Sequence, residues 1–232
     1  ADVCRDIITA ECGAGQPPGC RSWRHPSSDG PGYSIAMAKP DFNTLTRKAR
    51  ACRLCEADLP FGPRPVFQMH PAAAILIAGQ APGRRVHESR TPFDDPSGER
   101  LRDWMGIDRE TFYDPRRVAI LPMGFCYPGT GRSGDLPPRP ECAGKWRAPL
   151  LALLPAVRLT LVIGQYALDW HLKDRQEKSL TQTVRNWKAY WPKVLPLPHP
   201  SPRNNIWLKK NPWFQGDVLP GLQARVRSLL KA

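Results

Sequence analysis

Four short apolar runs constrain this chain more than any other feature: residues 74–78, 118–121, 159–163 and 193–197. Each is four or five residues long and rich in Val, Ile, Leu or Ala, the pattern of a buried strand. Between them the spacing changes to that of helices. Asp41 or Asn43 is placed to cap a helix through residues 46–50, and Ser97 to cap one through Leu101 and Trp104. Residues 141–154 put Trp146, Leu150, Leu153 and Leu154 on one face. Residues 165–172 continue the series, and residues 218–230 read as a basic amphipathic helix. Strands alternating with helices predict an α/β fold whose parallel sheet is covered on both faces.

The chemistry-bearing segments follow these runs directly, at the carboxyl edge where open α/β sheets bind ligands. The first run ends in Gly79-Gln80-Ala81-Pro82-Gly83, a turn that can present backbone N–H groups. A polar loop is expected over residues 84–96, with Arg84, Arg85, His87, Glu88 and then Phe93, Asp94 and Asp95. The second run leads into a loop over residues 122–140. The fourth runs straight into His199-Pro200-Ser201-Pro202, where two prolines restrain the backbone around an imidazole that must be aimed. Beyond it, Asn204, Asn205, Lys209 and Lys210 are interleaved with Trp207 and Trp213. That mixture suits a strand of nucleic acid through phosphate contacts and base stacking, or else a basic face with the tryptophans packed inward.

The net charge of +13 points to a polyanionic partner, nucleic acid first. No apolar run reaches the length of a membrane span. The first residues lack the charged-then-apolar layout of an export signal, so an intracellular, cytoplasmic setting with reduced thiols is expected. The seven cysteines cannot all pair with one another. Three of them (Cys4, Cys12, Cys20) lie in residues 1–36, a Gly-, Pro- and Ser-rich stretch that reads as a flexible N-terminal extension ahead of a domain over residues 37–232. The other four pair up in sequence as Cys52-x2-Cys55, then Cys126 and Cys142. Four thiolates suit a tetrahedral zinc or a [4Fe–4S] cluster, and ligand type alone does not separate the two.

Taken together these residues resemble the uracil-DNA glycosylase superfamily, in particular its iron–sulfur-containing branch, family 4. The 79–83 turn is similar to that branch's G-E-A-P-G motif, and Phe93 follows it at the family's distance. Cys52, Cys55, Cys126 and Cys142 match the cluster cysteines in order. The strand runs and His199-Pro200-Ser201 match further landmarks. The resemblance covers about residues 42–230. It implies a three-layer α/β/α sandwich around a four-stranded, mainly parallel sheet. It also implies a monomeric base-excision repair enzyme that hydrolyses the N-glycosidic bond of uracil, or a related damaged base, flipped out of DNA. Phe93 would stack on the base, and His199 would stabilise negative charge growing on it. Gly79, Gln80, Ala81, Pro82 and Gly83 would hold the attacking water. Pro122 and Ser201 would border the base, Arg203 would stand where relatives insert a side chain into the duplex, and the four cysteines would hold a [4Fe–4S] cluster.

Two departures stand out. Gln80 replaces the usual Glu, and Ala81 stands where family 1 has a catalytic Asp, so neither can take a proton from water. His87, whose neutral imidazole can act as a base near neutral pH, is the expected substitute, with Asp94 and Asp95 behind it. Pro122 stands where uracil readers have an Asn amide, which weakens the expectation of strict uracil specificity. A lesion- or abasic-site-binding protein without turnover is the competing expectation. A cysteine-held metal protein with no role on DNA is a third.

Overall fold

The computed structural model describes residues 41–132 and 134–231; the expected extension over residues 1–36 lies outside them. The strands are β1 (Ile75–Ala78), β2 (Val118–Ile120), β3 (Thr130–Gly131), β4 (Gly134–Asp135), β5 (Leu159–Ile163) and β6 (Val194–Leu197). Four of them form one parallel sheet in the order β2-β1-β5-β6, and β3 and β4 form a separate antiparallel hairpin. Ile77 stands opposite Ile120 on one side and Leu161 on the other. Pro196 interrupts β6, which a ladder tolerates because β6 is an edge strand.

Side chains alternate across the sheet and so feed two cores. On one face Ile75, Ile77, Ile120, Leu161 and Leu197 pack against Leu101, Trp104 and Met105 of helix Pro96–Met105 and against Leu222, Val226 and Leu229 of helix Leu219–Leu230. On the other face Leu76, Ala119 and Leu121 meet Ala49, Trp146 and Leu150, while Ala78 and Val162 meet Ala167 and Leu168. The result is an α/β/α arrangement with the sheet as the middle layer, the fold class expected from the alternating pattern.

Local details differ from the sequence expectation in instructive ways. Asp41 does cap the first helix, Phe42–Arg50, by accepting the Thr44 N–H at 2.8 Å. Ser97, the expected cap of the helix through Leu101, is instead buried inside it. Asp95 is the cap, accepting the Gly98 N–H at 2.9 Å, and Pro96 takes the first helical position, where its missing N–H costs nothing. The expected loop after the 79–83 turn begins as a helix, Arg84–Ser89, closed by Arg90 in a left-handed conformation (φ 61°). The helix expected over residues 141–154 is Pro140–Cys142, a wider π turn over Ala143–Arg147, then Ala148–Leu151. A second π turn, Phe214–Val218, precedes the last helix. Both precede a proline inside the helical run, Pro149 and Pro220. A proline lacks the N–H of an α turn and its ring presses on the carbonyl four residues back, a strain the wider turn relieves.

Candidate active site

A cavity of about 530 Å³ opens at the carboxyl ends of β1, β2 and β6. The β2 pairing continues past its strand: Met123 N–H donates to Gly79 O and Gly124 N–H to Gln80 O, each at 2.9 Å. This draws Pro122, which has no N–H, to the cavity wall beside the 79–83 turn. Of the residues singled out in the sequence, Gly79, Gln80, Ala81, Pro82, Gly83, Phe93, Pro122, His199, Ser201 and Arg203 all line this one cavity. Arg84, Arg85 and Arg203 are exposed and give it a positive rim.

Phe93 is held there by strain. Its backbone has φ 55°, a conformation that costs a bulky residue about 1–3 kcal/mol. Its ring tip faces Gly79, where a Cβ would lie 3.6 Å from Cζ, and its ring meets Phe112 edge-on at 6.2 Å. The carbonyl of Phe93 presses on Gly98, where a Cβ would come within 1.8 Å of it. Only glycine at position 98 allows this placement of Phe93.

His199 is fixed by its own loop. Ser201 N–H donates to Nδ1 at 3.2 Å, and Asn204 Nδ2 donates to the His199 carbonyl at 2.7 Å. Arg100 Nη1 donates to Ser201 O at 3.1 Å. Burial lowers the His199 pKa, opposed by the charges of Asp95 and Asp135, so the ring is neutral at neutral pH. A neutral ring whose Nδ1 accepts a hydrogen bond carries its proton on Nε2. That Nε2–H is the donor the ring has left to offer.

His87 is placed elsewhere. The Arg84–Ser89 helix turns it away from the cavity lining and buries it against Phe61 and Tyr127, each 6.0 Å away between ring centroids. Its Nδ1 has no partner among the described residues, and burial, then Arg64, lowers its pKa. The expected water-activating role for His87 is thus corrected by the helix that replaces the expected loop. Gln80 stays at the cavity, but its Nε2 is tied to Leu136 O at 3.2 Å. Asp94 is drawn off by Arg109 at 3.0 Å. Trp207 and Trp213 pack edge-on against Phe214, and Trp207 Nε1 donates to Thr181 Oγ1 at 2.8 Å, so both are partly buried in the core rather than fully presented to a nucleic acid. Lys209 and Lys210 remain exposed.

Asp135 and Arg147 carried no recognisable sequence signal, and Asn204 was read only as part of the polar and aromatic stretch after His199. Asp135, on the β3–β4 hairpin, puts its carboxylate at the cavity mouth. Asn204 braces the His199 backbone. Arg147 is 1 % exposed and has no carboxylate partner among the described residues. It stacks on Trp170 and donates from Nη1 to Leu121 O at 2.9 Å and Pro122 O at 3.1 Å, fixing the cavity wall from behind. Its Nη2 also meets His171 Nε2. A Gly-rich hairpin and an arginine on a helical face look the same in sequence whether they serve a site or not.

The four cysteines, 52, 55, 126 and 142, line one recess with Leu54, Leu59, Pro63, Pro65 and Phe125. All four are free thiols. Burial pushes the Cys126 pKa up to about 11 and that of Cys142 to about 12, with neighbouring cysteines adding to both. Phe125 N–H points at Cys142 Sγ from 3.4 Å. Among the described residues no three His, Cys, Asp or Glu side chains close on a single point tightly enough for one metal ion, and no helix is long and apolar enough to cross a membrane.

The structure thus shows a parallel α/β/α sheet with a loop-built cavity at its carboxyl edge, lined by a restrained neutral histidine and a strained phenylalanine. The model of the uracil DNA glycosylase superfamily matches residues 67–223, well over half of the chain, so the chain belongs to that superfamily, whose members are typically DNA glycosylases. A solution NMR structure from Methanosarcina acetivorans, described as a candidate uracil DNA glycosylase, is similar to this chain at 15 % identity and a TM-score of 0.43, over 71 % of this chain and 98 % of that one.

Proposed function

We propose that the chain is a base-excision glycosylase that hydrolyses the bond joining uracil, or a related damaged base, to deoxyribose in DNA. The observation that carries this reading is the His199 loop. Its neutral imidazole has Nδ1 engaged by its own backbone and its Nε2–H left for a ligand, in the same cavity as Phe93 and the 79–83 turn. The base enters the cavity flipped from the stack. Phe93 stacks on it, and His199 Nε2–H donates to the base carbonyl as negative charge grows there. A pre-aimed donor in a sheltered site is worth about 10²–10³ in rate. Pro122 supplies a flat apolar edge and a carbonyl held by Arg147, and no amide to read the base. Selection among bases is therefore expected to be broader than in relatives with an amide reader. Arg84, Arg85 and Arg203 at the rim, with Lys209 and Lys210, take phosphates.

The same reading assigns the cysteine recess to a [4Fe–4S] cluster. The donor set fits: four thiols line one recess, and a backbone N–H points at Cys142 Sγ, the kind of outer-shell hydrogen bond that tunes a metal-bound sulfur. One zinc draws its sulfurs to about 2.3 Å of a single centre. A four-iron core takes one thiolate per iron from the same four residues, and the resemblance to the iron–sulfur branch favours it over zinc. The cluster would supply a cross-link between residues 52–55 and 126–142. It stands outside the cavity lining.

The test is base release. Purified protein is incubated with oligonucleotides carrying a panel of deaminated and oxidised bases, single- and double-stranded, and then treated with alkali. Scission at one or more lesions is expected. Salt-sensitive binding to lesion DNA without scission anywhere would instead mark a binding protein of the same fold.

A further inference from the structure

We infer that Asp135 activates the attacking water, the role that Gln80 and Ala81 cannot fill. The inference rests on the glycosylase reading and deepens it. The β3–β4 hairpin is closed by one bond of its own and tied over the cavity by Gln80 and Arg203. Gln80 Nε2 donates to Leu136 O at 3.2 Å, and Leu136 N–H donates to Gly129 O at 2.8 Å. The Arg203 guanidinium lies on the Gly134 backbone, where a Cβ would come within 2.5 Å of Nη1. Between these points Asp135 leans on the 79–83 turn: a Cβ on Gly83 would lie 3.4 Å from Asp135 Oδ2. The carboxylate thus reaches the turn expected to hold the water, but from a different element.

The remaining candidates are engaged elsewhere. Asp95 also lines the cavity, but its Oδ1 caps helix Pro96–Met105 through Gly98 N–H. His199 is the donor to the base. His87 is off the cavity. The Asp135 carboxylate makes no hydrogen bond or ion pair with any other described residue, so its lone pairs are open. The charged and titratable groups facing it are Arg203 from the turn Pro202–Asn204, His199 from the loop after β6, Asp95 from the cap of helix Pro96–Met105, and Arg84 and Arg85 from helix Arg84–Ser89. Although open to solvent at the cavity mouth, its carboxyl is buried enough to raise its pKa above the ordinary range. Arg203 and His199 oppose the rise and Asp95 adds to it. A raised pKa makes a carboxylate a better proton acceptor.

In the step itself the water oxygen bonds to C1′ as the C1′–N bond breaks. The electron pair of that bond leaves with the base, whose charge rests against His199 Nε2–H. One water proton passes to Asp135, and the other stays as the C1′ hydroxyl. The base anion is protonated from solvent on release, and Asp135 returns its proton to solvent.

The experiment compares wild type, Asp135→Asn, Asp135→Ala and Asp95→Asn in single-turnover base release across pH, with lesion-DNA affinity and thermal midpoint measured in parallel. Asp135→Asn keeps the shape of the side chain and is expected to lower the rate constant about 10²–10⁴-fold, with midpoint and affinity close to wild type. The wild-type rate is expected to fall on the acid side with a single protonation, and that limb is expected to vanish in Asp135→Asn. Added formate is expected to restore part of the Asp135→Ala rate. A rate within threefold of wild type, a loss that tracks DNA affinity, or an unchanged acid limb in Asp135→Asn overturns the inference while leaving the glycosylase reading intact. Wild-type protein that releases no base from the panel overturns both.

Discussion

The cavity and the cysteine recess share a segment and differ in almost everything else. Residues 121–126 serve both: Pro122 borders the cavity, while Gly124, Phe125 and Cys126 line the recess. The cavity is ringed by arginines, aspartates and a histidine, and its groups come from the loops after three strands. The recess is walled by Leu54, Leu59, Pro63, Pro65 and Phe125 around four sulfurs, with Arg139 in its lining and the Glu141 carboxylate 4.0 Å from Cys55 Sγ. An open charged cavity suits a ligand that arrives and leaves. A small apolar recess lined with soft donors suits a group that stays. The difference separates chemistry from architecture along a few residues, and each region predicts a different failure when broken.

The sharpest break on the cavity side is His199→Ala. Loss of the Nε2–H donor is expected to slow base release about 10²–10³-fold, with the thermal midpoint near wild type, since the His199 side chain is only partly buried. Single-turnover kinetics and a melting curve together check it. A large fall in midpoint would move His199 from the chemical region to the architectural one.

Gly98→Ala tests the cavity from behind. The new Cβ would meet the Phe93 carbonyl at 1.8 Å, so the stacking platform must shift. Displacing a substrate-positioning group by about 1 Å can cost 10²-fold in rate. Release is expected to fall by about that factor, more than a Phe93→Leu variant that keeps the backbone in place.

On the recess side the expectation reverses. Cys126→Ser is expected to lower the midpoint by about 10 °C, roughly 3 kcal/mol for a domain of this size. It is also expected to abolish the broad absorption near ~400 nm that thiolate-held iron–sulfur protein shows. The rate per folded molecule should stay within a few-fold of wild type. A colourless wild-type protein with one bound zinc would reject the cluster, and a Cys126→Ser variant that is stable yet inactive would dissolve the division between the two regions.

Much of this division was legible in the sequence, and the parts that were not share a cause. Strands of four or five apolar residues announce themselves because burial on both faces demands it, and each motif directly after a strand inherits that strand's position. The 79–83 turn and His199, each following a strand, accordingly meet in one cavity, while the four cysteines, spread over helix ends and loops, meet in a recess. Asp135 was invisible because a two-residue strand has no period and the fold of its hairpin depends on distant Gln80 and Arg203. His87 misled because one helical turn, Arg84–Ser89, decides which way a side chain points, and a six-residue polar segment carries too little pattern to reveal it. Arg147 was hidden for a similar reason. The π turn that aims it inward answers to Pro149, two residues on, and not to any apolar repeat.

Arg147 also carries the prediction with the smallest expected effect, because it ties the two regions together. It follows Cys142 on the same helical run and holds the Pro122 carbonyl of the cavity wall. Its companion His171 has its pKa lowered from 6.5 to about 3, by burial first and the Arg147 charge second. Burial likewise lowers His199 and His87. The folded protein keeps these rings neutral at a pH where the unfolded chain protonates them. Their contribution to stability is therefore complete above about pH 6.5 and is lost as pH falls below it, with the His171 part fading down to about pH 3. The thermal midpoint is expected to drop by several degrees between pH 7 and pH 5. His171→Gln, which cannot take a proton, is expected to flatten that slope more than His199→Gln does, because the shift at His171 is the larger. Equal flattening by both variants would mean that the acid sensitivity belongs to the cavity. No flattening by either would leave it to His87, the other buried ring, because the helix-capping carboxylates Asp41 and Asp108, whose pKa values are lowered by the backbone N–H groups they accept from, lose their contribution only below about pH 4.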